Sequence, residues 1–146
     1  MIRVAEINDL DAVYEQIKQL SNHEFTKEAF HDCYLYNQKN GHILVYEEEQ
    51  IICGCIVFTI HYHLHFSRKT VEIVNLIVDS RHRSSGIGQQ LLAAVEIIAN
   101  ESGCVCIEAA SGKQRERAHH FYEREGFVCG HYKFTKKLAA FKENVC

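Results

Sequence analysis

Two kinds of hydrophobic pattern follow one another along the chain, and each predicts a type of secondary structure. Short stretches in which apolar residues alternate with polar ones or run together are typical of strands, and they occur at residues 2–6, 42–47, 51–66, 70–79, 104–109 and 127–137. Stretches with apolar residues three and four positions apart are typical of amphipathic helices, and they occur at residues 9–20, 26–38, 86–100 and 115–125. The predicted order is strand, two helices, three strands, helix, strand, helix, strand.

The ends of the predicted helices carry residues that start or stop helices. Asp9 and Thr26 stand where N-caps are expected, and Gly103 and Gly126 stand just beyond a helix end. Residues 70–79 are almost continuously Val, Ile and Leu, which predicts a central strand buried on both faces. The strand–helix–strand crossover that starts there, set among hairpins, implies a mixed sheet covered by helices, in the α/β or layered α+β class.

Length and composition fit one domain that spans residues 1–146. Of the 146 residues, 47% are hydrophobic and 24% are charged, which excludes disordered, collagen-like and coiled-coil chains. No apolar run approaches the ~20 residues of a membrane span, and residues 1–6 lack the basic and then apolar pattern of a signal peptide. A net charge of −3 argues against nucleic acid as the partner.

Seven cysteines without a signal peptide predict free thiols in a reducing cytoplasm. Two pairs, Cys53 with Cys55 and Cys104 with Cys106, each place two sulfurs on one face of a predicted strand. A zinc site would use a wider Cys-x-x-Cys spacing with further ligands. We therefore expect these cysteines to act as small buried apolar residues.

The loop between the strand at 70–79 and the next helix has the composition of an anion site. Gly86 and Gly88 allow a tight turn that exposes successive N–H groups at the positive end of the helix dipole. Arg81, His82 and Arg83 surround the loop, so phosphate or pyrophosphate is the expected occupant. The loop lacks a Walker lysine and the third glycine of a dinucleotide fingerprint. On its own, the Gly-x-Gly fits a plain tight turn equally well.

The segment downstream of this loop carries the second half of a known motif. Leu76-Ile77-Val78, the Arg-x-x-Gly-x-Gly sequence at 83–88, and Phe121-Tyr122 with Gly126-Phe127 together resemble the GNAT superfamily of acetyl-CoA-dependent N-acetyltransferases. The resemblance covers nearly the whole chain and implies a mixed, mostly antiparallel central sheet flanked by about four helices. It also implies acetyl-CoA as cosubstrate, bound by Leu76, Ile77, Val78, Arg83, Ser84, Ser85, Gly86, Ile87, Gly88, Gln89 and Tyr122.

Shorter strings resemble one subgroup, the aminoalkylphosphonate N-acetyltransferases. They are Phe25 and Phe30, His63-Leu64-His65, Ala118-His119 with Phe121-Tyr122, and His131-Tyr132-Lys133-Phe134-Thr135-Lys136. The acceptor that this resemblance implies is the primary amine of an aminoalkylphosphonate. Two residues depart from the pattern: Asn75 replaces an expected second acidic residue, which bears on the metal or base chemistry, and Ser80 replaces the proline of many GNAT enzymes.

Amide formation from a thioester requires a neutral amine, whereas an alkylamine such as lysine has a pKa of about 10.4. A base must therefore remove a proton, directly or through water. GNAT enzymes commonly use a carboxylate on the strand before the phosphate loop. Here Glu72 is the only acidic residue inside that strand, and Asp79 stands at its end. Glu72 is either this base or a solvated residue near the exposed start of the strand.

Release of coenzyme A produces a thiolate that needs a proton. The resemblance assigns its protonation to the hydroxyl of Tyr122, a residue that would otherwise only pack. We expect the oxyanion of the tetrahedral intermediate to bind a backbone N–H near Ile77 or Val78.

The three histidines His61, His63 and His65 alternate with apolar residues and are expected to project from one face of a strand. The resemblance to the phosphonate enzymes implies a divalent metal, for which His63, His65 and Glu72 are the candidates. Equally, the histidines suit substrate binding or a polar surface. The candidates for binding substrate are His63, His65, Thr135 and Lys136, although lysines also keep an edge strand soluble.

Two other functions stay open at this point. Net acidity suits a polyamine or aminoglycoside N-acetyltransferase, and a non-catalytic acyl-CoA-binding module belongs to another class, against which Glu72 and Tyr122 argue. The expected partners are a small-molecule amine and a second copy of the chain. Nucleic acid and membranes are not expected. We expect a homodimer through residues 127–137, because that segment would leave an exposed sheet edge.

Overall fold

The computed structural model describes residues 1–21 and 23–138. They form five strands: β1 (Ile2–Val4), β2 (His42–Glu48), β3 (Ile51–His63), β4 (Arg68–Val78) and β5 (Cys104–Ala109). They also form four α-helices: α1 (Leu10–Leu20), α2 (Lys27–Asn40), α3 (Ile87–Glu101) and α4 (Glu116–Arg124). The chain divides into a first compact unit, residues 1–109, and a second unit that starts at residue 110 and contains α4. No helix among the described residues is long and apolar enough to cross a membrane.

All five strands of the first unit form one sheet in the order β1-β2-β3-β4-β5. The first three junctions are antiparallel, and β4 pairs with β5 in parallel. The mixed, mostly antiparallel sheet is thus confirmed. The parallel junction requires a crossover, which α3 supplies. β4 lies between β3 and β5, in agreement with the central strand predicted from its apolar content.

Helices cover both faces of this sheet. One face packs against α1 and α2 in a core that includes Val13, Tyr34 and Cys55. The opposite face meets α3 at Gly54, where an added Cβ would lie 3.1 Å from Ile87 Cγ2. Because successive residues of a strand point to opposite faces, Cys55 lies on the face toward α1 and α2 and Gly54 lies on the face toward α3.

The residues predicted to start or stop helices stand at the helix ends, although Asp9 does not cap its helix. The Thr26 hydroxyl accepts a hydrogen bond from the first turn of α2 at 3.1 Å. Gly103 and Gly126 follow α3 and α4 with φ of 71° and 87°, the left-handed conformation of a helix stop. Asp9 precedes α1 as predicted, but its carboxylate binds the Arg3 guanidinium at 2.7 and 2.9 Å instead of capping the helix.

The strand predicted over residues 51–66 ends earlier, at His63. Residues 64–67 form a turn in which the Ser67 N–H donates to the Leu64 carbonyl at 3.3 Å, and Ser67 has a φ of 50°. β4 therefore starts opposite His63. His65 lies in the turn, so the expectation that three histidines project from one strand face is wrong for this residue. The alternation of polar and apolar residues continues through the turn, which is why the sequence pattern does not reveal it.

The strand predicted over residues 127–137 is also wrong, since no strand follows β5 among the described residues of the second unit. A strand exists only where a neighbour pairs with its backbone groups, and alternation does not provide that neighbour. Phe127 is half-buried, but three large apolar residues after it are exposed: Val128 by 89%, Tyr132 by 89% and Phe134 by 91%.

The cysteines divide between core and surface. Cys53 and Cys55 on β3 are buried, as predicted. Cys104 is only half-buried and Cys106 is exposed, contrary to the expectation, because β5 is an edge strand of the described sheet.

Gly54 is required where β3 passes closest to its neighbours. An added Cβ would lie 2.9 Å from the carbonyl oxygen of Ile77, a β4 backbone atom that cannot move without disturbing the β3–β4 pairing. We predict that Gly54→Ala lowers the free energy of unfolding by about 1–3 kcal/mol, the usual cost of overpacking, as measured by urea denaturation. Gly130→Ala is the control, since its added methyl meets no atom within 4 Å. An equal loss in both variants would contradict the prediction.

Candidate active site

The central strand β4 loses its neighbour on one side before it ends. β4 pairs with β5 only as far as Ile73 and then continues to Val78 with β3 alone. The β3–β4 register skips Val74, passing from Ile73 to Asn75, so Val74 is an extra residue in β4. A bulge of this kind bends a strand and increases its twist, and it lies where β4 and β5 separate. The result is an open strand edge inside the first unit.

The open edge presents the backbone groups of Leu76 and the N–H of Val78, while the Val78 carbonyl accepts a hydrogen bond from Arg83 Nε. The Asp79 N–H donates to the Cys53 carbonyl at 2.9 Å, so the backbone of Asp79 faces β3. Alternate residues of a strand direct their backbone groups to opposite sides, which turns Ile77 toward β3 and its two neighbours toward the open edge. Of the two residues expected to bind an oxyanion, Val78 therefore faces the gap and Ile77 does not.

Asp79 holds the start of the loop that follows β4. Its buried carboxylate accepts hydrogen bonds from the Arg81 backbone N–H at 2.9 Å, from Arg81 Nε at 3.0 Å and from Gln19 Nε2 at 3.4 Å. The Ser80 N–H donates to Gln19 Oε1 at 3.3 Å. Hydrogen bonds from Arg81 hold the pKa of Asp79 well below its usual value, so this carboxylate is ionised at neutral pH and already engaged. The loop is thus attached to α1, and Asp79 has a structural role.

The N-terminus of α3 has the form of an anion site. Gly86 precedes the helix with a φ of 82°, and no side chain caps the first turn. The N–H groups of that turn and the positive end of the helix dipole are directed at the loop. The second left-handed residue is Ser84, with a φ of 64°, and not Gly88, which lies in the first turn of α3. Arg83 Nε closes the loop by donating to the Val78 carbonyl at 3.2 Å.

Glu72 lies on β4 before the bulge, on the face that α1 and α2 cover. Glu72 is the register partner of Thr59 on β3. Thr59 lies four residues after Cys55 on the same strand, so both point to the face that α1 and α2 cover, and Glu72 points to that face as well. Glu72 Oε2 lies 2.7 Å from His61 Nε2, and the same nitrogen lies 2.9 Å from Thr59 Oγ1. The Glu72 side chain is 39% exposed. A carboxylate in this setting is ordered and still open to a ligand.

The three predicted metal ligands are not brought together as a set, although the rings of His63 and His65 are neighbours. His63 Nε2 lies 2.8 Å from Thr70 Oγ1, His65 lies in the turn after β3, and Glu72 is bound to His61. In the described part of the chain, no group of three histidine, cysteine, aspartate or glutamate side chains is placed to hold a metal ion. These residues do not fit a divalent metal, and no step below is derived through one.

The second unit carries Tyr122 on α4. Its ring centroid lies 5.4 Å from that of Phe121 and 5.1 Å from that of Phe127. Burial raises the pKa of Tyr122, so the hydroxyl keeps its proton at neutral pH, as a general acid must. Thr135 and Lys136 lie in the exposed segment after α4.

Two contacts of this site could not be predicted from the sequence. Gln19 carries no motif that indicates its bonds to the loop after β4. His61 stands out in the sequence as one of three alternating histidines, but only the β3–β4 register shows that it is the one that meets Glu72.

Comparisons with known proteins agree with this geometry. The model of the "Acetyltransferase (GNAT) family" matches residues 8–127. The chain is 34% identical over 139 residues to the aminoalkylphosphonate N-acetyltransferase of Salmonella typhimurium. The aligned residues cover 94% of this chain and 90% of that protein. Solved structures share the fold. A transcriptional regulator from Bacillus halodurans matches with a TM-score of 0.84 at 24% identity, over 94% of this chain and 99% of its own. Glucosamine-6-phosphate N-acetyltransferase from Arabidopsis thaliana matches with a TM-score of 0.77 at 23% identity, over 94% of this chain and 97% of its own.

The family match spans the open edge of β4, the loop and the start of α3. The chain therefore belongs to the GNAT family and is an acetyl-CoA-dependent acyltransferase.

Proposed function

We propose that this enzyme transfers the acetyl group of acetyl-CoA to the primary amine of an aminoalkylphosphonate. The observation that supports this choice of acceptor is the 34% identity, over 94% of the chain, to the Salmonella typhimurium enzyme that is named for this substrate. The geometry supports the transfer itself, because β4 combines an open backbone edge for the cosubstrate with an ordered, half-exposed carboxylate.

The open edge of β4 suits the pantetheine arm of acetyl-CoA, whose amides pair with strand backbone as an added strand does. The loop and the first turn of α3 suit the pyrophosphate. The proposed cosubstrate-binding residues are Leu76, Ile77, Val78, Arg83, Ser84, Ser85, Gly86, Ile87, Gly88, Gln89 and Tyr122. Within this set Ile77 contributes through packing, because its backbone groups face β3.

The reaction needs one base, one oxyanion donor and one acid. Glu72 takes a proton from the acceptor's ammonium, directly or through water, and the freed lone pair attacks the thioester carbonyl carbon. The oxyanion accepts a hydrogen bond from the N–H of Val78 or Leu76. When the C–S bond breaks, the thiolate of coenzyme A takes the proton of Tyr122. The nitrogen, which carries a positive charge after the attack, loses its second proton through water to the Tyr122 phenolate, so the amide and the tyrosine are both neutral, and Glu72 releases the first proton to solvent. The family resemblance is the ground for this role of Tyr122.

For the phosphonate group we assign His63, His65, Thr135 and Lys136. The rings of His63 and His65 are neighbours, with centroids 5.5 Å apart, and imidazole N–H groups bind phosphonate oxygens well. Lys136 supplies a positive charge that an anionic acceptor needs. Thr135 and Lys136 enter this set through the family resemblance.

We further propose that the enzyme is a cytoplasmic homodimer. The interface was expected at residues 127–137, but that segment forms no strand. The free edge is instead that of β5, which ends the described sheet and whose Val105 is 51% exposed. Exposed apolar edges are usually covered in native proteins, and a second copy of the chain offers the same surface. The described cysteines are free thiols, which suits a reducing compartment. Light scattering of the purified protein measures the oligomeric state.

Gly86→Ala is predicted to weaken acetyl-CoA binding by about tenfold or more, the scale of a lost hydrogen bond to a charged group. The Cβ would meet no protein atom within 4 Å, so it would crowd only the proposed pyrophosphate, although the φ of 82° also strains the backbone of any residue with a Cβ. Calorimetry measures the Kd. The matched control is Gly103→Ala at the other end of α3, where φ is also positive, at 71°, and the backbone strain is similar. Equal affinity of the two variants would contradict the proposed phosphate site.

Tyr122→Phe is predicted to lower kcat by about 10²–10³-fold, within the range of a single general acid. The ring and its packing against Phe121 and Phe127 remain, so the Kd for acetyl-CoA should not change. Thiol release under saturating substrates measures kcat. Tyr36→Phe, which removes the hydroxyl of a tyrosine that is 67% exposed on α2, is the control. A fully active Tyr122→Phe enzyme would show that another group or water protonates the thiolate.

The acceptor is tested by comparing kcat/KM for 2-aminoethylphosphonate and its one-carbon analogue with kcat/KM for spermidine and kanamycin. We expect the phosphonates to react faster, and the rate to persist in excess chelator because the described residues do not assemble a metal site. A preference for the polyamine or the aminoglycoside would overturn the phosphonate assignment. Loss of activity in chelator, restored by a divalent metal, would contradict the second expectation and leave the first intact.

A further inference from the structure

The contact between His61 and Glu72 has a defined direction. Their atoms Nε2 and Oε2 lie 2.7 Å apart, and an ionised carboxylate only accepts hydrogen bonds. We therefore assign the hydrogen to Nε2, which makes His61 the donor to the carboxylate. The two residues stand on the paired strands β3 and β4, so the sheet itself sets their separation.

We propose that His61 is a positioning residue for the base. By donating to Oε2, it holds the Glu72 carboxylate in one orientation and leaves Oε1 to take the proton from the acceptor's ammonium. This inference rests on the proposed function, in which Glu72 is the base.

The surroundings of the pair explain why an orienting contact is needed. The Glu72 side chain is 39% exposed, and an exposed glutamate samples several rotamers. Thr59 Oγ1 lies 2.9 Å from the same His61 nitrogen. Thr59 is on the same strand as His61, and this contact limits the rotation of the imidazole. Among the described residues, none is hydrogen bonded to Glu72 Oε1. One oxygen is held and the other is available, which is the arrangement that a preorganised base requires.

The same pair offers a second candidate for the base, because His61 Nδ1 has a lone pair when Nε2 carries the hydrogen. The topology favours Glu72. It lies on β4, the strand whose later residues form the open edge, whereas His61 lies one strand further away on β3.

The experiment compares donors at position 61. His61→Ala removes the N–H and is expected to lower kcat by about 10–100-fold, the cost of a misplaced catalytic group, with KM for acetyl-CoA unchanged. His61→Gln keeps an N–H at similar reach and is expected to stay within about threefold of the parent. In a Glu72→Gln background, His61→Ala is expected to cause no further loss, because residues that act through one another are not additive. His31→Ala on α2, a histidine 3.8 Å from Asp32, is the control for loss of a surface imidazole.

The outcomes separate the inference from the proposal beneath it. A fully active Glu72→Gln enzyme would overturn the base assignment and with it the proposed mechanism. A slow Glu72→Gln enzyme with a fully active His61→Ala enzyme would overturn the positioning role alone. A slow His61→Gln enzyme would show that the imidazole itself is needed, as a base is, and this too overturns the inference. Additive losses in the double variant would show that the two residues act independently, which contradicts a positioning role. His61→Leu, which lacks the N–H but keeps more of the side-chain volume, replaces His61→Ala should thermal unfolding show that the alanine variant is destabilised.

Discussion

Backbone N–H and C=O groups that lose a strand neighbour must find other hydrogen-bond partners, and Val74 creates that situation in this chain. The extra residue at Val74 falls directly after the last β4–β5 pair at Ile73. From there to Val78, the strand keeps β3 on one side and an open edge on the other. The proposed cosubstrate site follows from this local departure from regular pairing, because an extended ligand with amide groups satisfies a strand edge as another strand would.

The rest of the first unit brings an anion site to the end of the same edge. Gly54 has no side chain, and this lets Ile87 at the start of α3 approach β3 closely. Asp79 and Gln19 attach the intervening loop to α1. The strand edge and the helix N-terminus are therefore held in place by contacts within the protein. Such preorganisation lowers the entropic cost of binding a flexible cosubstrate.

Features with local causes could be predicted from the sequence, and features that depend on strand register could not. The Thr26 cap and the Gly103 stop were correctly predicted, because each acts within one turn of its own helix. The apolar content of β4 indicated a central strand. By contrast, the turn at residues 64–67 and the absence of a strand at 127–137 depend on which backbone finds a partner. The same limit applies to chemistry, since three alternating histidines are equivalent in sequence and only the register places His61 against Glu72.

The two substrates are proposed to contact different parts of the chain, and this proposal would explain how fold and specificity separate in such enzymes. The proposed cosubstrate contacts are largely backbone groups at Leu76, Val78 and the start of α3, which most sequences can supply if the bulge and Gly86 remain. Structures only 23–24% identical to this chain accordingly share its fold with TM-scores of 0.77 and 0.84. The proposed acceptor contacts are instead side chains on β3 and β4, such as Glu72, where one substitution changes the charge or the set of hydrogen-bond donors. In this proposal a few side chains beside a site formed by the backbone decide which acceptor is used, and the fold alone does not determine it.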